Sequence, residues 1–186
     1  MMIHVSASPL SEVVVVDVDY FQDERGFLIE NWHKRNFADA GLDLDFVQEI
    51  HSRSRAGVLR GLHYQDMTAP MGKLVRCTVG SIFDVAVDLR VDSPTFRKWF
   101  GLELSADNKR QLYVPVGFAH GFATLTDVAE VQYKQTGYYT PAAEGAIAWN
   151  DPQLAINWPI ANPILSKRDQ SAMTLQQYLA NPAFRR

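Results

Sequence analysis

The sequence predicts an all-β fold, an antiparallel sandwich or barrel with few helices. Short runs rich in β-branched and aromatic residues follow one another, and glycine, proline, asparagine or aspartate separates most of them. Helical periodicity is scarce by comparison. Together these observations favour packed sheets over a helical bundle.

Ten runs have the composition and length of β-strands: residues 13–18, 26–32, 46–52, 58–64, 73–79, 82–89, 99–104, 111–114, 121–125 and 129–135. Gly80-Ser81 separates the fifth run from the sixth, and a two-residue connection with glycine first predicts a β-hairpin. The sixth run alternates, which places Asp84 and Asp88 on one face and the large apolar side chains on the other. That aspartate face is either exposed or lines a wet pocket, and both interpretations stay open.

Two segments have helical character. Residues 34–40 have room for two turns before Gly41, and residues 166–179 predict a C-terminal helix with Ser166 as its N-cap. We find no repeat, low-complexity tract or linker, so we expect one domain over residues 1–186.

Composition excludes several classes of function. The 186 residues are 47% hydrophobic and 21% charged with a formal charge of −3, which does not favour nucleic-acid binding. The apolar residues 13–16 are too few to span a bilayer and no secretory signal is visible, so we expect a cytoplasmic protein. Cys77 is the only cysteine, which excludes an intrachain disulfide and favours a reducing compartment. Its apolar, β-rich surroundings predict a buried strand thiol.

The residues suited to chemistry begin in the run GVLRGLHYQ at 57–65, which brings Arg60, His63 and Gln65 close together. A histidine that changes charge near neutral pH thus lies beside a permanent cation. Lys73 and Tyr133 follow downstream. A base, a cation and a phenol suggest proton transfer on a carbon acid, with Lys73 stabilising the enolate oxygen and Tyr133 as the acid.

Each of these residues also has a structural interpretation when taken alone. An isolated strand histidine is more often a hydrogen-bonded core residue, and a lone lysine or arginine is usually a surface charge. Asp169, near the start of the last predicted helix, is either a solvated helix-start residue or accepts the second imidazole N–H and raises the basicity of the histidine. Spacing does not decide between these interpretations.

Other catalytic classes lack their residues. His63 and His120 form a poor metal site because no carboxylate or third nitrogen follows them, so we expect no metal. A nucleophile elbow, a phosphate-cradling glycine loop and a dinucleotide fingerprint are all missing from the sequence. We therefore expect acid–base chemistry without a cofactor.

Nine motifs resemble the dTDP-4-dehydrorhamnose 3,5-epimerase (RmlC) family, nearly over the whole chain and in order: FQDERGF at 21–27, HSRS at 51–54, GVLRGLHYQ at 57–65, GKLVR at 72–76, FDVAVDLR at 83–90, SPTF at 93–96, LSADNKRQL at 104–112, PVGFAHGF at 115–122 and WNDP at 149–152. The resemblance implies a cupin-type double-stranded β-helix, a jelly-roll barrel with short helices. It also implies a metal-free, cofactor-free isomerase that works as a homodimer. The implied substrate is a nucleotide-diphosphate 4-keto-6-deoxy sugar, inverted at C3 and C5.

The same resemblance implies roles for individual residues. His63 is the base, Asp169 its partner, Tyr133 the acid on the opposite face, and Lys73 the group that stabilises the C4 enolate. Substrate-binding positions include the diphosphate-binding Arg60 and Arg25, with Arg25 expected from the dimer mate, the pocket residues Asp84, His120 and Tyr139, and the nucleotide-end residues Phe21, Glu30 and Gln48.

Four positions depart from the family pattern. Ile50 stands where asparagine is usual, Gly137 replaces an aspartate or asparagine, Met71 replaces a frequent glutamine, and Met173 replaces a proline. None is a proton-transfer residue, so they bear on which sugar is bound rather than on the reaction. Two alternatives follow: an epimerase that inverts one centre of a related nucleotide 4-keto sugar, or a non-catalytic cupin that binds a sugar nucleotide.

Overall fold

The computed structural model describes residues 1–10 and 12–185, and within them β-strands dominate. Its strands are β1 Ile3–Ala7, β2 Val14–Val18, β3 Tyr20–Asp23, β4 Gly26–Ile29, β5 Gln48–Arg55, β6 Leu59–Gln65, β7 Lys73–Val79, β8 Ser81–Asp88, β9 Trp99–Ser105, β10 Gln111–Val114, β11 Phe118–Thr124, β12 Val128–Gln135 and β13 Glu144–Ala146. Its α-helices are α1 Lys34–Asp39, α2 Lys167–Gln170 and α3 Leu175–Ala180. None of these described helices is long and apolar enough to cross a membrane.

The strands form two main antiparallel sheets. One has the order β1-β2-β10-β7-β12-β5, the other has the order β13-β6-β11-β8-β9, and β3 and β4 form a separate hairpin. Apolar side chains from both sheets meet in one core, including Val75 and Val131 from the first and Ile82 and Phe122 from the second. The predicted fold class, an all-β cupin-like jelly roll, is confirmed.

Two further apolar layers cover the outer faces of the sheets. On the five-stranded sheet, Val85 and Val87 pack with Leu175 and Tyr178 of the C-terminal segment. On the six-stranded sheet, Phe37 of α1 packs with residues of β2 and β7. The central strands are therefore buried on both faces, which explains why β8 has no polar, solvent-facing side.

The predicted hairpin at Gly80-Ser81 is wrong. β7 pairs with β10 and β12 in one sheet, whereas β8 pairs with β11 and β9 in the other. Gly80, with φ of +68°, turns the chain from the first sheet to the second, and a Cβ there would lie 2.1 Å from the Val128 carbonyl oxygen. The dipeptide signals a tight turn but does not determine which strands pair.

The predicted helix at 166–179 is also wrong as a single element, because it is divided into α2 and α3. Ser166 does cap α2, since its hydroxyl accepts a hydrogen bond from the Asp169 N–H. Between the two helices, the backbone of Met173 bonds with Ala146 and Ala148 instead of continuing the helix. Thr174 then starts α3 with a capping box.

The aspartates of β8 are fully buried, so the exposed interpretation of their face is wrong. Asp88 accepts hydrogen bonds from Arg90, Ser93 and Thr95 and so anchors the loop after the strand. Asp84 binds the ring of His120. Cys77 is buried as predicted, and burial raises the pKa of its thiol to about 11.

A bulge in β6 brings two functional residues to the same face. His63 lies opposite His120 and Arg60 lies opposite Phe122, so three residue steps on β6 match two on β11. In a regular strand, residues three apart would point to opposite faces. The bulge needs Gly61, which has φ of +135° and whose Cβ would lie 2.6 Å from the Cα of Gly121.

We predict that Gly61→Ala lowers the free energy of unfolding by about 1–3 kcal/mol, through strain and backbone collision together. Chemical denaturation measures this. Gly26→Ala is the matched control, because Gly26 has φ of +119° but open space around it. Equal destabilisation by the two variants would contradict the close-approach argument.

Candidate active site

A cavity of about 230 Å³ opens between the two sheets and gathers most of the predicted chemistry. Its lining residues are Ile50, Arg60, His63, Met71, Lys73, His120, Phe122, Tyr133, Gln135, Tyr139, Glu144 and Arg168. Of these, Arg60, His63, Lys73, His120, Tyr133 and Tyr139 are predicted site residues.

The six-stranded sheet forms one wall of the cavity with two rows of side chains, each row made of cross-strand neighbours on the same face of the sheet. Residues directly opposite each other on antiparallel strands point to the same side of the sheet. Gln135 of β12 lies opposite Lys73 of β7 and opposite the first residue of β5. Two positions back on β12, Tyr133 lies opposite Ile50 and Val75. Lys73 and Tyr133 therefore reach the cavity from adjacent rows.

The five-stranded sheet supplies the other wall. His63 and His120 are direct partners on β6 and β11, and the bulge adds Arg60 beside them. Arg60 is held from behind, because its guanidinium donates to the Ser54 hydroxyl at 3.0 Å and to the Arg53 carbonyl at 3.2 Å. A fixed cation thus lies at the edge of the cavity.

His63 makes its shortest contact with Asp169, whose Oδ1 lies 2.6 Å from Nε2. Asp169 belongs to α2, and its side chain is 2% exposed. Burial raises the pKa of Asp169, but the hydrogen bond and charge of His63, together with Ser166 and Arg168, lower it more, so the net pKa is below its ordinary value. An ionised Asp169 accepts from Nε2–H and leaves Nδ1 as the basic atom of His63.

The pKa of His63 is itself lowered. Burial is the largest cause, and the nearby positive charges of Arg168 and Lys73 act in the same direction, while Asp169 opposes them. The imidazole is consequently neutral at neutral pH and ready to accept a proton.

Arg168 and Glu144 belong to the site although the sequence did not single them out. One terminal nitrogen of Arg168 lies 2.9 Å from Nε2 and 3.2 Å from Nδ1 of His63. Cε1 and its hydrogen lie between these two nitrogens at the edge of the ring, and a donor in the ring plane at these distances would collide with them. The Arg168 nitrogen therefore lies over the face of the imidazole. Arg168 also pairs with Glu144, which accepts from the Tyr139 hydroxyl at 2.9 Å. The position of Arg168 next to Asp169 was the available signal.

Lys73 and Tyr133 titrate in shifted ranges. Burial lowers the pKa of Lys73 to about 8, although Glu144 and Asp84 favour its charged form. Its Nζ lies 6.0 Å from the centroid of the Tyr133 ring. Burial raises the pKa of Tyr133, so its phenol keeps its proton at neutral pH.

Several predicted residues lie beside the cavity or away from it. Asp84 lies behind His120 and holds its Nε2 with both carboxylate oxygens at 3.0 Å. Gln48 accepts from the Tyr139 N–H at 2.8 Å, so it positions the Tyr139 backbone. Gln65 does not join Arg60 and His63, because its amide bonds the backbone of Ala69, Tyr138 and Thr140.

The predicted nucleotide-end and dimer-mate residues lie outside this cavity. Phe21 and Arg25 belong to the β3–β4 hairpin, where Phe21 is 68% exposed and Arg25 pairs with Asp23. Glu30 accepts from the Asn36 side chain and lines a groove on the outer side of the six-stranded sheet. Within one chain, the structure does not bring these three residues to His63.

Two family departures lie in the cavity wall. Ile50 and Met71 both line it, so apolar side chains stand at these points. Gly137 has a packing reason, because a Cβ there would lie 2.5 Å from the Pro70 carbonyl oxygen. Tyr139 is nevertheless fixed at both ends, by Gln48 and by Glu144.

The arrangement suits deprotonation on one face of a carbon and reprotonation on the other. A neutral histidine on one sheet and a protonated phenol on the other line the same space, with a lysine beside the phenol. Three cations, Arg60, Lys73 and Arg168, favour an anionic ligand. Among the described residues, no group of three or more His, Cys, Asp or Glu side chains is placed to hold a metal ion.

Comparison with known proteins gives consistent results. The sequence model of the family described as dTDP-4-dehydrorhamnose 3,5-epimerase matches residues 7–177. The dTDP-4-dehydrorhamnose 3,5-epimerase of Salmonella typhimurium is 49% identical over 180 residues, which cover 96% of this chain and 98% of that protein. The enzyme of the same name from Pseudomonas aeruginosa is 52% identical over 163 residues, covering 87% of this chain and 90% of its own length.

Among solved structures, the chain is similar to dTDP-6-deoxy-D-glucose-3,5-epimerase from Legionella pneumophila in complex with dTDP-4-keto-L-rhamnose. The TM-score is 0.93 at 42% identity, covering 99% of this chain and 98% of the other. The likeness therefore extends over the whole fold.

We predict opposite changes in the pKa of His63 when its two neighbours are altered. Arg168→Met removes a positive charge and raises this pKa, whereas Asp169→Asn removes a negative hydrogen-bond acceptor and lowers it further. NMR titration of the His63 Cε1 proton measures both changes. Arg110→Met is the control, since Arg110 pairs with Asp17 away from the cavity. An unchanged or lowered His63 pKa in the Arg168 variant would show that the charge of Arg168 does not lower the pKa of the imidazole.

Proposed function

The chain belongs to the dTDP-4-dehydrorhamnose 3,5-epimerase family, and we propose on that premise that it inverts C3 and C5 of dTDP-4-dehydro-6-deoxy-D-glucose to give dTDP-4-dehydro-L-rhamnose. One observation supports this most: His63, which is paired with Asp169, and the Tyr133 phenol line the same cavity from different sheets. Inversion needs a base and an acid on opposite sides of one carbon.

The first step is proton abstraction by His63. The C4 ketone acidifies the hydrogens on C3 and C5, and Nδ1 of the neutral imidazole takes one of them. The electron pair of the C–H bond becomes the C3–C4 or C4–C5 double bond, and the carbonyl electrons move to the C4 oxygen. Asp169, which stays ionised, stabilises the imidazolium that forms.

Lys73 stabilises the resulting enolate. Its ammonium donates to the C4 oxygen as negative charge develops there, in a buried site where such an interaction is stronger than in water. Because its pKa is about 8, this lysine is charged at neutral pH yet loses its charge in mildly alkaline solution.

Tyr133 completes the inversion. Its phenol delivers a proton to the ring carbon from the face opposite His63, and the enolate collapses to the ketone. The phenolate then regains a proton from solvent and His63 releases one, so the cycle is proton-neutral. Repeating it at the second carbon inverts both centres.

We further propose that two chains combine to form each complete site. The β3–β4 hairpin exposes large apolar side chains, Tyr20, Phe21, Phe27 and Leu28, and exposed apolar patches mark interaction surfaces. In a homodimer this hairpin would carry Arg25 to the mate's cavity, where a diphosphate needs more cations. The cytoplasmic location expected from the sequence belongs to the same proposal.

A second candidate remains within the same reaction class. The apolar Ile50 and Met71 in the cavity wall favour a relative that inverts one centre or accepts another nucleotide 4-keto sugar. A non-catalytic binder is the third possibility, although it has no need for a base and an acid on opposite walls. Deuterium counted at each carbon separates all three.

We predict that His63→Ala lowers deuterium incorporation from D2O into the sugar about 10²- to 10⁴-fold, because the base is lost. Tyr133→Phe should still exchange hydrogen but fail to invert. NMR of C3 and C5 measures both. His51→Ala is the control, since His51 is exposed on the opposite face of β5. Full-rate exchange by His63→Ala would exclude the role of the histidine.

We also predict that two inactive variants regain activity when mixed. In a mixed dimer of Arg25→Met and His63→Ala chains, the cavity of the Arg25→Met chain keeps His63 and receives the intact Arg25 of its mate. Mixing His63→Ala with Tyr133→Phe is the control, because both residues line the cavity of their own chain and every site stays defective. No recovery in the first mixture after subunit exchange would refute a shared site.

A further inference from the structure

Gln135 is the feature of the cavity that the mechanism leaves unused. It lies at the end of β12, lines the cavity and is 2% exposed. Its side-chain Oε1 is buried and, within residues 1–10 and 12–185, has no hydrogen-bond partner. A buried carboxamide oxygen without a partner is unfavourable, because water no longer solvates it.

The other two buried glutamines show what this fold does with such a side chain. Gln65 makes three hydrogen bonds to the backbone, and Gln111 donates to the Asn31 carbonyl at 2.9 Å. Both therefore hold segments of chain together. Gln135 differs in that its free acceptor borders the cavity, which indicates that a ligand group completes its hydrogen bonding.

The strand register indicates which ligand group this is. Gln135 and Lys73 are direct partners on β12 and β7, so their side chains stand next to each other on the cavity wall. In the proposed mechanism Lys73 holds the C4 oxygen. The carbons adjacent to C4 are C5, which bears a methyl group, and C3, which bears a hydroxyl. The hydroxyl nearest the C4 oxygen is therefore that of C3.

We propose that Gln135 determines specificity by accepting a hydrogen bond from the C3 hydroxyl of the 4-keto sugar. The inference rests on the proposed function, because the role of Lys73 fixes the orientation of the ring. Gln135 then selects for 3-hydroxy over 3-deoxy sugars, since a 3-deoxy sugar leaves the carboxamide oxygen buried and unpaired.

The test compares wild type with Gln135→Leu on three sugars, using deuterium incorporation at C5 because that centre is the same in all three. The sugars are dTDP-4-dehydro-6-deoxyglucose and its 3-deoxy and 2-deoxy analogues. We expect wild type to have a kcat/KM about 3- to 12-fold lower on the 3-deoxy sugar than on the parent. We expect Gln135→Leu to have a kcat/KM on the parent sugar that is lower than that of wild type by about the same factor. On the 3-deoxy sugar its kcat/KM should not decrease further.

Stability separates this role from a structural one. Gln135→Leu and the longer, unbranched Gln135→Met should keep or raise the thermal midpoint, because they remove an unpaired polar group. Gln111→Leu is the matched control and should lower it, because it breaks the bond to Asn31. A lowered midpoint in both Gln135 variants would assign a structural partner to the carboxamide and overturn the proposal.

The remaining outcomes are equally decisive. If Gln135→Leu lowers kcat/KM by the same factor on the parent and 3-deoxy sugars and also shifts the alkaline limb of the pH profile, then Gln135 acts on Lys73. If wild type instead has a lower kcat/KM on the 2-deoxy sugar and Gln135→Leu shows no further decrease on it, the partner of Gln135 is the C2 hydroxyl. Each result would overturn the inference and leave the epimerase proposal standing. Failure of wild type to exchange deuterium into any sugar would overturn the proposed function itself.

Discussion

The hydrogen bond between His63 and Asp169 is the contact on which the rest of the site depends. It joins residues 106 positions apart at 2.6 Å, one on a strand of the five-stranded sheet and the other on a short helix that packs against it. Each end has its own support, since the β6 bulge turns His63 inward and Ser166 holds the backbone of Asp169. Burial lowers the pKa of the imidazole while the carboxylate opposes that effect, so the base stays neutral without losing its orientation. If either support failed, the histidine would be an ordinary buried polar residue.

The second constraint is the gap between the two sheets. A single sheet presents its side chains to a ligand from one side only, whereas a sandwich with an open end holds a ring between two walls. Here His63 and His120 belong to one wall, and Lys73 and Tyr133 belong to the other. The geometry suited to inversion thus follows from the jelly roll itself, and only the side chains at its open end need to be polar. The same arrangement explains why the apolar core can continue directly below the cavity.

Local pattern predicted some strands to the residue. Strands β7 and β10 begin and end at the predicted residues, and the class of fold follows from such runs. Pairing was not predictable, because Gly80 marks a turn equally well within a sheet and between sheets. The C-terminal helix was predicted too long, since backbone bonds of Met173 to distant residues override local propensity. The pairing of Arg168 with Glu144 was not predicted, because tertiary structure brings the two together and only the position of Arg168 next to Asp169 pointed to the site. The resemblance assigned roles to single residues but carried no information on these contacts.

The cavity wall separates the reaction from the choice of sugar. Proton transfer needs His63, Lys73 and Tyr133, and each of these has a pKa suited to its step because of burial and near charges. The uncharged wall residues Ile50, Met71 and Gln135 also decide which ring fits. A buried polar group of the ligand needs a hydrogen-bond partner, and an apolar group placed there would leave the protein's own polar atom unpaired. Ile50 and Met71 offer apolar surface, whereas Gln135 offers a free acceptor in a row with Lys73. Since none of these side chains gives a charge or a hydrogen bond to the base or the acid, the family's chemistry can be retained while substrate preference changes.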